Sequence, residues 1–287
     1  MIKNLVFSGA GVKIYTFLGF VKALEENNIL SNIDSFIGTS SGSFIATLCV
    51  LDFKYIDMEE IILKINVSSL NKIDTENIFN FFHDYGLDYG KNFKRIIKII
   101  LERKVNNENI TFKELYEISK KRLIITATCV NTMECEYFDY INTPDMSVVT
   151  AILMSISIPF IFKPIKVENK YYIDGAFVRH YPIDFFDNTI DETIGVLVSN
   201  KLNIFNEIDS IKDYIYNILL CSFVNLVKNC YDKYKDNTIF IENNDSSLDF
   251  NIEYNEKISQ IDNGYNITKK IIESESFIKK FNLKITD

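Results

Sequence analysis

Five consecutive residues, Gly38-Thr39-Ser40-Ser41-Gly42, set a serine between two glycines in the order G-x-S-x-G. The chemistry this spacing serves is nucleophilic attack. A serine on a very tight strand-to-helix turn presents its hydroxyl at a helix N-terminus, where amides and the helix dipole favour a developing negative charge. The flanking glycines keep side chains out of space that neighbouring backbone must cross. The bare pattern arises easily by chance, so its surroundings decide. Ser35-Phe36-Ile37 reads as a strand before it, and Phe44, Ile45, Leu48, Cys49 and Leu51 as a helix after it. The plain alternative is an ordinary βα turn with helix-capping serines. Ser41 is the nearest rival nucleophile; the glycine spacing selects Ser40 and leaves Ser41 to offer its backbone N–H to an oxyanion.

A second loop, Ser8-Gly9-Ala10-Gly11-Val12-Lys13, also joins an apolar strand, Asn4 to Phe7, to a helical pattern. Such a loop can aim successive backbone N–H groups into one concavity, which acyl transfer needs where a carbonyl oxygen becomes negative. It could equally cradle a phosphate or be a tight turn. It lacks the Walker and Rossmann spacings, which argues against nucleotide binding.

A base must accompany the serine. The histidines are His83, in the aromatic stretch Phe81-Phe82-His83-Asp84-Tyr85, and His180, before Tyr181-Pro182. The first reads as structural and the second as a weak candidate. The other possibility is a carboxylate acting directly on the serine. Asp174-Gly175 follows a strand pattern, Lys170 to Ile173, although Asp-Gly is also a common turn dipeptide. Burial would raise the carboxyl pKa and strengthen it as a base. Its distance from Ser40 cannot be read from spacing.

The elements that must position these groups are those of an α/β protein. From Tyr15 the pattern is helical, with Phe17, Leu18, Val21 and Leu24 on one face and Lys22, Glu25 and Glu26 away from it. Gly19 is expected to let this helix lie close to a sheet. Residues 55–122 read as mostly helical, with a capping box at Thr111-Phe112-Lys113-Glu114. Strands are expected at 123–128, 135–138, 193–198 and 237–241, and a helix over 205–235. Thr143-Pro144 reads as an N-cap and first helical position, opening a helix through Val148, Ile152 and Leu153 that must stop before Pro159. Strand and helix alternate over short connections, which argues for a mostly parallel sheet covered by helices. No repeat or linker divides residues 1–287, so one domain is expected.

Composition narrows the function. The 287 residues are 47% hydrophobic and carry a net charge of −8, a poor match for nucleic acid. Five cysteines without CxxC spacing and two histidines argue against a zinc site and suit a reduced, cytoplasmic protein. No signal peptide or run long enough to span a bilayer is visible; the longest apolar stretch, 215–227, is broken by Asn217 and Asn225. Residues 91–104 place Phe93, Ile96, Ile97, Ile100 and Leu101 on one face, with Lys91, Lys94, Arg95 and Lys98 elsewhere. Core packing is the simpler account of that helix; a seat on an anionic lipid surface is the alternative.

Taken together, the segments resemble the patatin-like phospholipase family. Phe7 to Lys13 is similar to its glycine-rich oxyanion loop and Phe36 to Gly42 to its nucleophile elbow. Ser155-Ile156-Ser157-Ile158-Pro159-Phe160 with Phe162-Lys163-Pro164 resembles its S-x-x-x-P-x-x-F-x-P segment. Tyr171-Tyr172-Ile173-Asp174-Gly175-Ala176 resembles its Y-x-D-G-[GA], and residues 258–271, with Gly264-Tyr265, resemble a common C-terminal helix of bacterial and viral members. The resemblance implies a three-layer α/β/α fold and a lipid acyl hydrolase of phospholipase A type, with no cofactor or metal. It implies Ser40 as nucleophile, Asp174 as base, and an oxyanion hole from the amides of Gly9, Ala10 and Gly11 with Ser41. Gly38, Gly42, Gly175 and Lys13 would support these motifs, Lys13 by steadying the loop or attracting lipid phosphate. The expected partner is a phospholipid or other lipid ester, with peripheral membrane contact compatible and nucleic acid excluded. One departure stands out: Ala10 replaces the loop's middle glycine. Were positive φ needed there, Ala would be strained, which keeps open a silent lipid- or partner-binding protein on the same fold.

Overall fold

The computed structural model describes residues 1–65, 85–199, 208, 211–243 and 251–283. In chain order the elements are β1 (Asn4–Phe7), α1 (Ile14–Glu26), β2 (Ser35–Thr39), α2 (Ser41–Val50), α3 (Tyr55–Lys64), β3 (Gly86–Asp88), α4 (Lys91–Val105), α5 (Phe112–Ser119), β4 (Arg122–Cys129) and β5 (Glu134–Phe138). There follow α6 (Val148–Ser155), β6 (Phe160–Phe162), β7 (Ile165–Val167), β8 (Lys170–Asp174), α7 (Ala176–Arg179), β9 (Thr193–Ser199), α8 (Ile211–Tyr234), β10 (Thr238–Glu242), α9 (Tyr254–Ile272) and α10 (Glu275–Phe281).

The strands expected near the N-terminus are continuous apolar runs because both faces of the sheet are covered. Period-two alternation sorts them into two cores. Leu5, Phe7, Phe36, Leu123, Ile125, Ile194 and Val196 enter the larger core with α1, α2 and α6. Val6, Ile37, Ile124 and Leu197 face the other way, against Tyr181, Ile183, Phe186 and residues of α8. The result is the expected layered α/β architecture. Strand order is β10-β9-β1-β2-β4-β8-β7, with β5 also on β4. The pairs from β10 to β4 are parallel; those of β4 with β5 and β8, and of β7 with β8, are antiparallel.

The register around β4 positions the site. Thr126 pairs with Thr39 on one side and Tyr137 on the other, and Ala127 pairs with Glu136 and Asp174. Strand β5 occupies one edge of β4 throughout, so β2 and β8 share the opposite edge end to end. The C-terminal ends of β2 and β8 therefore meet head-on, one residue apart in register.

Two expectations change, and the mostly helical middle section gains one element. Residues 85–122 include a short strand, β3, paired in parallel with β6. Helix α6 is capped at Ser147, not at Thr143; the Thr143 hydroxyl and amide both bond the Asp139 carbonyl in a preceding turn. Gly19 serves a helix crossing, not the sheet. A Cβ there would lie 2.0 Å from the Ile261 carbonyl oxygen, and one on Gly264 would lie 2.2 Å from that of Thr16. The backbones of α1 and α9 thus touch at two glycines. In an isolated helix Gly→Ala stabilises by about 1 kcal/mol. Here Gly264→Ala should instead destabilise, by about 1–3 kcal/mol from overpacking, and thermal unfolding reads the sign.

The capping box at Thr111 forms as expected, with the hydroxyl accepting from the Glu114 amide. Helix α4 buries Ile97, Ile100 and Leu101, so its apolar face packs in the core. His83 lies outside the described residues. Among the described residues no helix is long and apolar enough to cross a membrane.

Candidate active site

Ser40 stands between β2 and α2 with φ 53° and ψ −128°, a conformation that non-glycine residues rarely adopt. The two glycines make that turn possible. A Cβ on Gly38 would lie 2.3 Å from the Gly42 carbonyl oxygen, and one on Gly42 would lie 2.3 Å from that of Ser8. Side chains around the elbow hold it. The Ser43 hydroxyl donates to the Ser40 carbonyl at 2.6 Å, and the Ser40 amide donates to the Ser155 hydroxyl at 2.8 Å. Thr39 shares a 2.7 Å hydroxyl contact with Thr126 and donates to the Arg179 carbonyl at 3.0 Å.

The head-on meeting of β2 and β8 brings Asp174 to Ser40. The Ser40 hydroxyl donates to Asp174 Oδ2 at 2.6 Å, and the Ala176 amide donates to Oδ1 at 2.8 Å. Neighbouring bonds fix the carboxylate's backbone: Asp174 N–H donates to the Ser157 carbonyl, and the Thr128 hydroxyl to the Asp174 carbonyl. Gly175 is required by proximity, since a Cβ there would lie 2.5 Å from Thr126 Oγ1. Asp174 is 3% exposed. Burial pushes its carboxyl up to about 7, against the opposing pull of the Ser40 and Ala176 hydrogen bonds. Near neutral pH such a group can take a proton and return it.

The glycine loop lies beside the elbow, but its amides do not all act alike. Gly9 N–H donates to the His180 carbonyl at 2.9 Å, so it is engaged inside the fold. Ala10 has φ −147°, which any L-residue tolerates, while Gly11 has φ +56° and carries the loop's need for glycine. Gly11, Ser40 and Ser41 line one cleft, which Val12, Phe44 and Phe162 also border. Ser41 opens α2, where the first amides have no intrahelical acceptor. Lys13 is buried, with Nζ donating to the Asn243 carbonyl at 2.8 Å. It ties the loop to the end of β10, and its ammonium is not placed to attract a lipid phosphate.

His180 packs against the glycine loop, its ring within 3.1 Å of where a Gly9 Cβ would stand. Desolvation, helped by the Lys13 charge, pushes its imidazole down to about 4, so it is neutral at pH 7. The Ser40 proton points to Asp174, not to this ring. Spacing did not disclose the Ser155 hydroxyl as acceptor for the Ser40 amide; its signal was only its place at the head of the S-x-x-x-P segment.

Residues 5–187 match the sequence profile of the patatin-like phospholipases. The chain belongs to this family. Among its relatives is R571, an uncharacterized protein of Acanthamoeba polyphaga mimivirus, 30% identical over 89% of each chain. The probable lipid hydrolase 463L of Invertebrate iridescent virus 6 is 33% identical over 63% of this chain and 62% of its own. Two bacterial structures share the patatin-like fold. VipD from Legionella pneumophila superposes with a TM-score of 0.63 at 16% identity, covering 95% of this chain and 67% of VipD. ExoU of the Pseudomonas aeruginosa type III secretion system gives 0.52 at 14% identity, covering 98% of this chain and 52% of ExoU.

Proposed function

We propose that this chain is a serine acyl hydrolase cleaving fatty-acyl esters of phospholipids or related lipids through a Ser40–Asp174 dyad. The observation that carries the proposal is the 2.6 Å hydrogen bond from the Ser40 hydroxyl to a buried carboxylate. The apolar cleft beside it supports an acyl chain as the bound group, and the family and the lipid hydrolase among its relatives support the same class of substrate.

In this mechanism Asp174 accepts the Ser40 proton as Oγ bonds to the ester carbonyl carbon. The carbonyl oxygen takes the negative charge, facing the amides of Gly11 and Ser41, with Ala10 beside them. Collapse breaks the bond to the leaving oxygen, which Asp174 protonates. Water then gives its proton to Asp174, attacks the acyl-serine and releases the fatty acid and free Ser40. The dyad needs no histidine, in keeping with the neutral, packed His180.

Ala10 keeps open the alternative of a silent binding protein. Its φ of −147° removes the strain on which that reading stood. We further propose one domain for the chain, since a single sheet runs from Asn4 to Glu242 and α9 packs on α1. A reduced, cytoplasmic setting is part of the proposal, supported by five unpaired cysteines.

The test mixes the protein, and separately its Ser40→Ala variant, with mixed phospholipid vesicles and reads the products by mass spectrometry. Free fatty acid and lysolipid from the wild type alone are expected. If the wild type gives no product and a fluorophosphonate probe leaves Ser40 unlabelled, the hydrolase proposal fails.

Ser155 is expected to act as a positioning residue. Its hydroxyl holds the Ser40 amide, and its carbonyl accepts from the Gly175 amide at 3.4 Å, so it joins the two halves of the dyad. Ser155→Ala should lower kcat by about 10–100-fold, as sub-ångström misplacement does, with KM nearly unchanged. Steady-state kinetics measures the split, and Ser155→Thr should restore part of the loss.

A further inference from the structure

A set of residues outside the dyad borders the same cleft. Strands β3 and β6 pair with Gly86 opposite Phe160 and Asp88 opposite Phe162. Phe162 and Phe93 meet edge to face at 6.0 Å, and both line the cleft with Ile158. The side chains next to them turn outward. Phe160 is 47% exposed, Tyr85 63% and Tyr89 46%.

Two of these aromatics are also strained. Phe160 has φ +69° and Tyr85 has φ +61°, a region where a bulky residue is an outlier. Folding alone would favour glycine or asparagine at such positions. Strain of this kind persists only where the surrounding structure over-determines it, and here it presents the rings to solvent beside the apolar cleft.

Positive charge surrounds the rings. Lys91 and Lys163 place their Nζ atoms 5.3 and 5.0 Å from the centroid of the Tyr89 ring. Lys94 and Arg95 are exposed one turn beyond Lys91 on the same face of α4. Asp88 accepts from the Gly90 amide at 2.6 Å. Lys91, Lys94 and Arg95 thus gather in a chain whose net charge is −8. The apolar face of α4 is already packed in the core, so this helix does not lie in a bilayer by that face.

We infer that the rim formed by Tyr85, Tyr89, Phe160 and the first turns of α4, with Lys91, Lys94 and Arg95, is the face by which the chain docks on an anionic lipid surface. The rings enter the headgroup layer and the cations meet lipid phosphates, the division of labour that amphipathic side chains adopt at membranes. Docked this way, the cleft lined by Phe93, Ile158 and Phe162 opens toward the lipid, and an acyl chain can pass to Ser40 without crossing water. The choice of lipid as occupant rests on the proposed hydrolase function.

The experiment compares binding of the wild type, K91E/K94E/R95E and F160G to phosphatidylcholine vesicles with and without one-quarter phosphatidylglycerol. Flotation measures binding, beside thermal unfolding and turnover of a monomeric short-chain p-nitrophenyl ester. The wild type should prefer the anionic vesicles and lose that preference as salt rises. The triple variant should bind them at least about 10-fold more weakly. F160G should also bind more weakly while unfolding at an equal or higher temperature, because glycine relieves the φ strain. Turnover of the monomeric ester should be unchanged in both. Equal binding of all three proteins would overturn the inference. So would a wild-type dimer that the substitutions dissociate, which would make the rim a contact between two copies of the chain. If no protein turns over any ester but the vesicle differences hold, the hydrolase function fails and the docking face stands.

Discussion

Replacing Ser40 by alanine should remove turnover of every acyl ester, by about 10⁴-fold or more, while the fold is retained. The magnitude is that of deleting the attacking atom from a dyad that works as a unit. No neighbouring hydroxyl can take over. Ser41 Oγ is buried without a hydrogen-bond partner, and no base touches it. Ser43 donates its proton to the Ser40 carbonyl and is committed to holding the turn. Stability should change little. The variant loses one hydrogen bond, worth about 1 kcal/mol, and leaves Asp174 with Ala176 as its partner. Product mass spectrometry, fluorophosphonate labelling and a thermal melt check the three parts together. An alanine variant that still releases fatty acid would move the nucleophile elsewhere, and an unfolded one would leave activity uninformative, in which case Ser40→Gly, which suits φ 53°, is the variant to use.

How far the site could be read from the residues depends on how local each requirement is. The elbow was legible because Gly38 and Gly42 exclude side chains for reasons contained within a few residues, the Gly42 carbonyl itself being the atom a Cβ on Gly38 would strike. The central strands were legible because a sheet buried on both faces leaves apolar runs at 5–7, 36–37 and 123–125. Asp174 was nameable but not placeable. It is 134 residues from Ser40, and only the shared edge of β4 brings the ends of β2 and β8 together. The same limit explains Gly19, whose partner Gly264 lies on a helix near the other end of the chain. Gly9 shows a subtler limit. A glycine loop announces several amides, but which one turns inward depends on the His180 carbonyl, and nothing in the loop's own residues records that. Thr143-Pro144 reads locally as a helix start, but the Asp139 carbonyl captures the threonine in a turn and the helix begins after Ser147.

Asp174→Asn should lower kcat/KM by about 10⁴-fold and at the same time stabilise the protein above neutral pH. The loss follows from direction. One oxygen of Asp174 accepts from the Ala176 amide, so an asparagine would keep its carbonyl there and turn its NH2 toward Ser40. The hydrogen bond to Oγ then runs the wrong way, and no acceptor remains for the serine proton. The gain follows from burial. The carboxyl titrates at about 7 in the fold against 3.8 as its ordinary value. Below both values the acid is neutral in either state and contributes nothing. Between them the unfolded chain ionises while the folded one keeps its proton, so stability falls as pH rises, and above 7 the cost is constant at about 4 kcal/mol. Asparagine carries no such cost. The melting temperatures of the two proteins should therefore diverge from pH 4 to pH 7 and stay apart beyond it, with the variant higher, less whatever its amide loses in hydrogen bonding. The same carboxyl sets the acid limb of wild-type kcat/KM near pH 7, because the base works only when ionised. A limb near pH 4 would overturn the raised Asp174 carboxyl as the group that sets it, since an ordinary aspartate and His180 both titrate there.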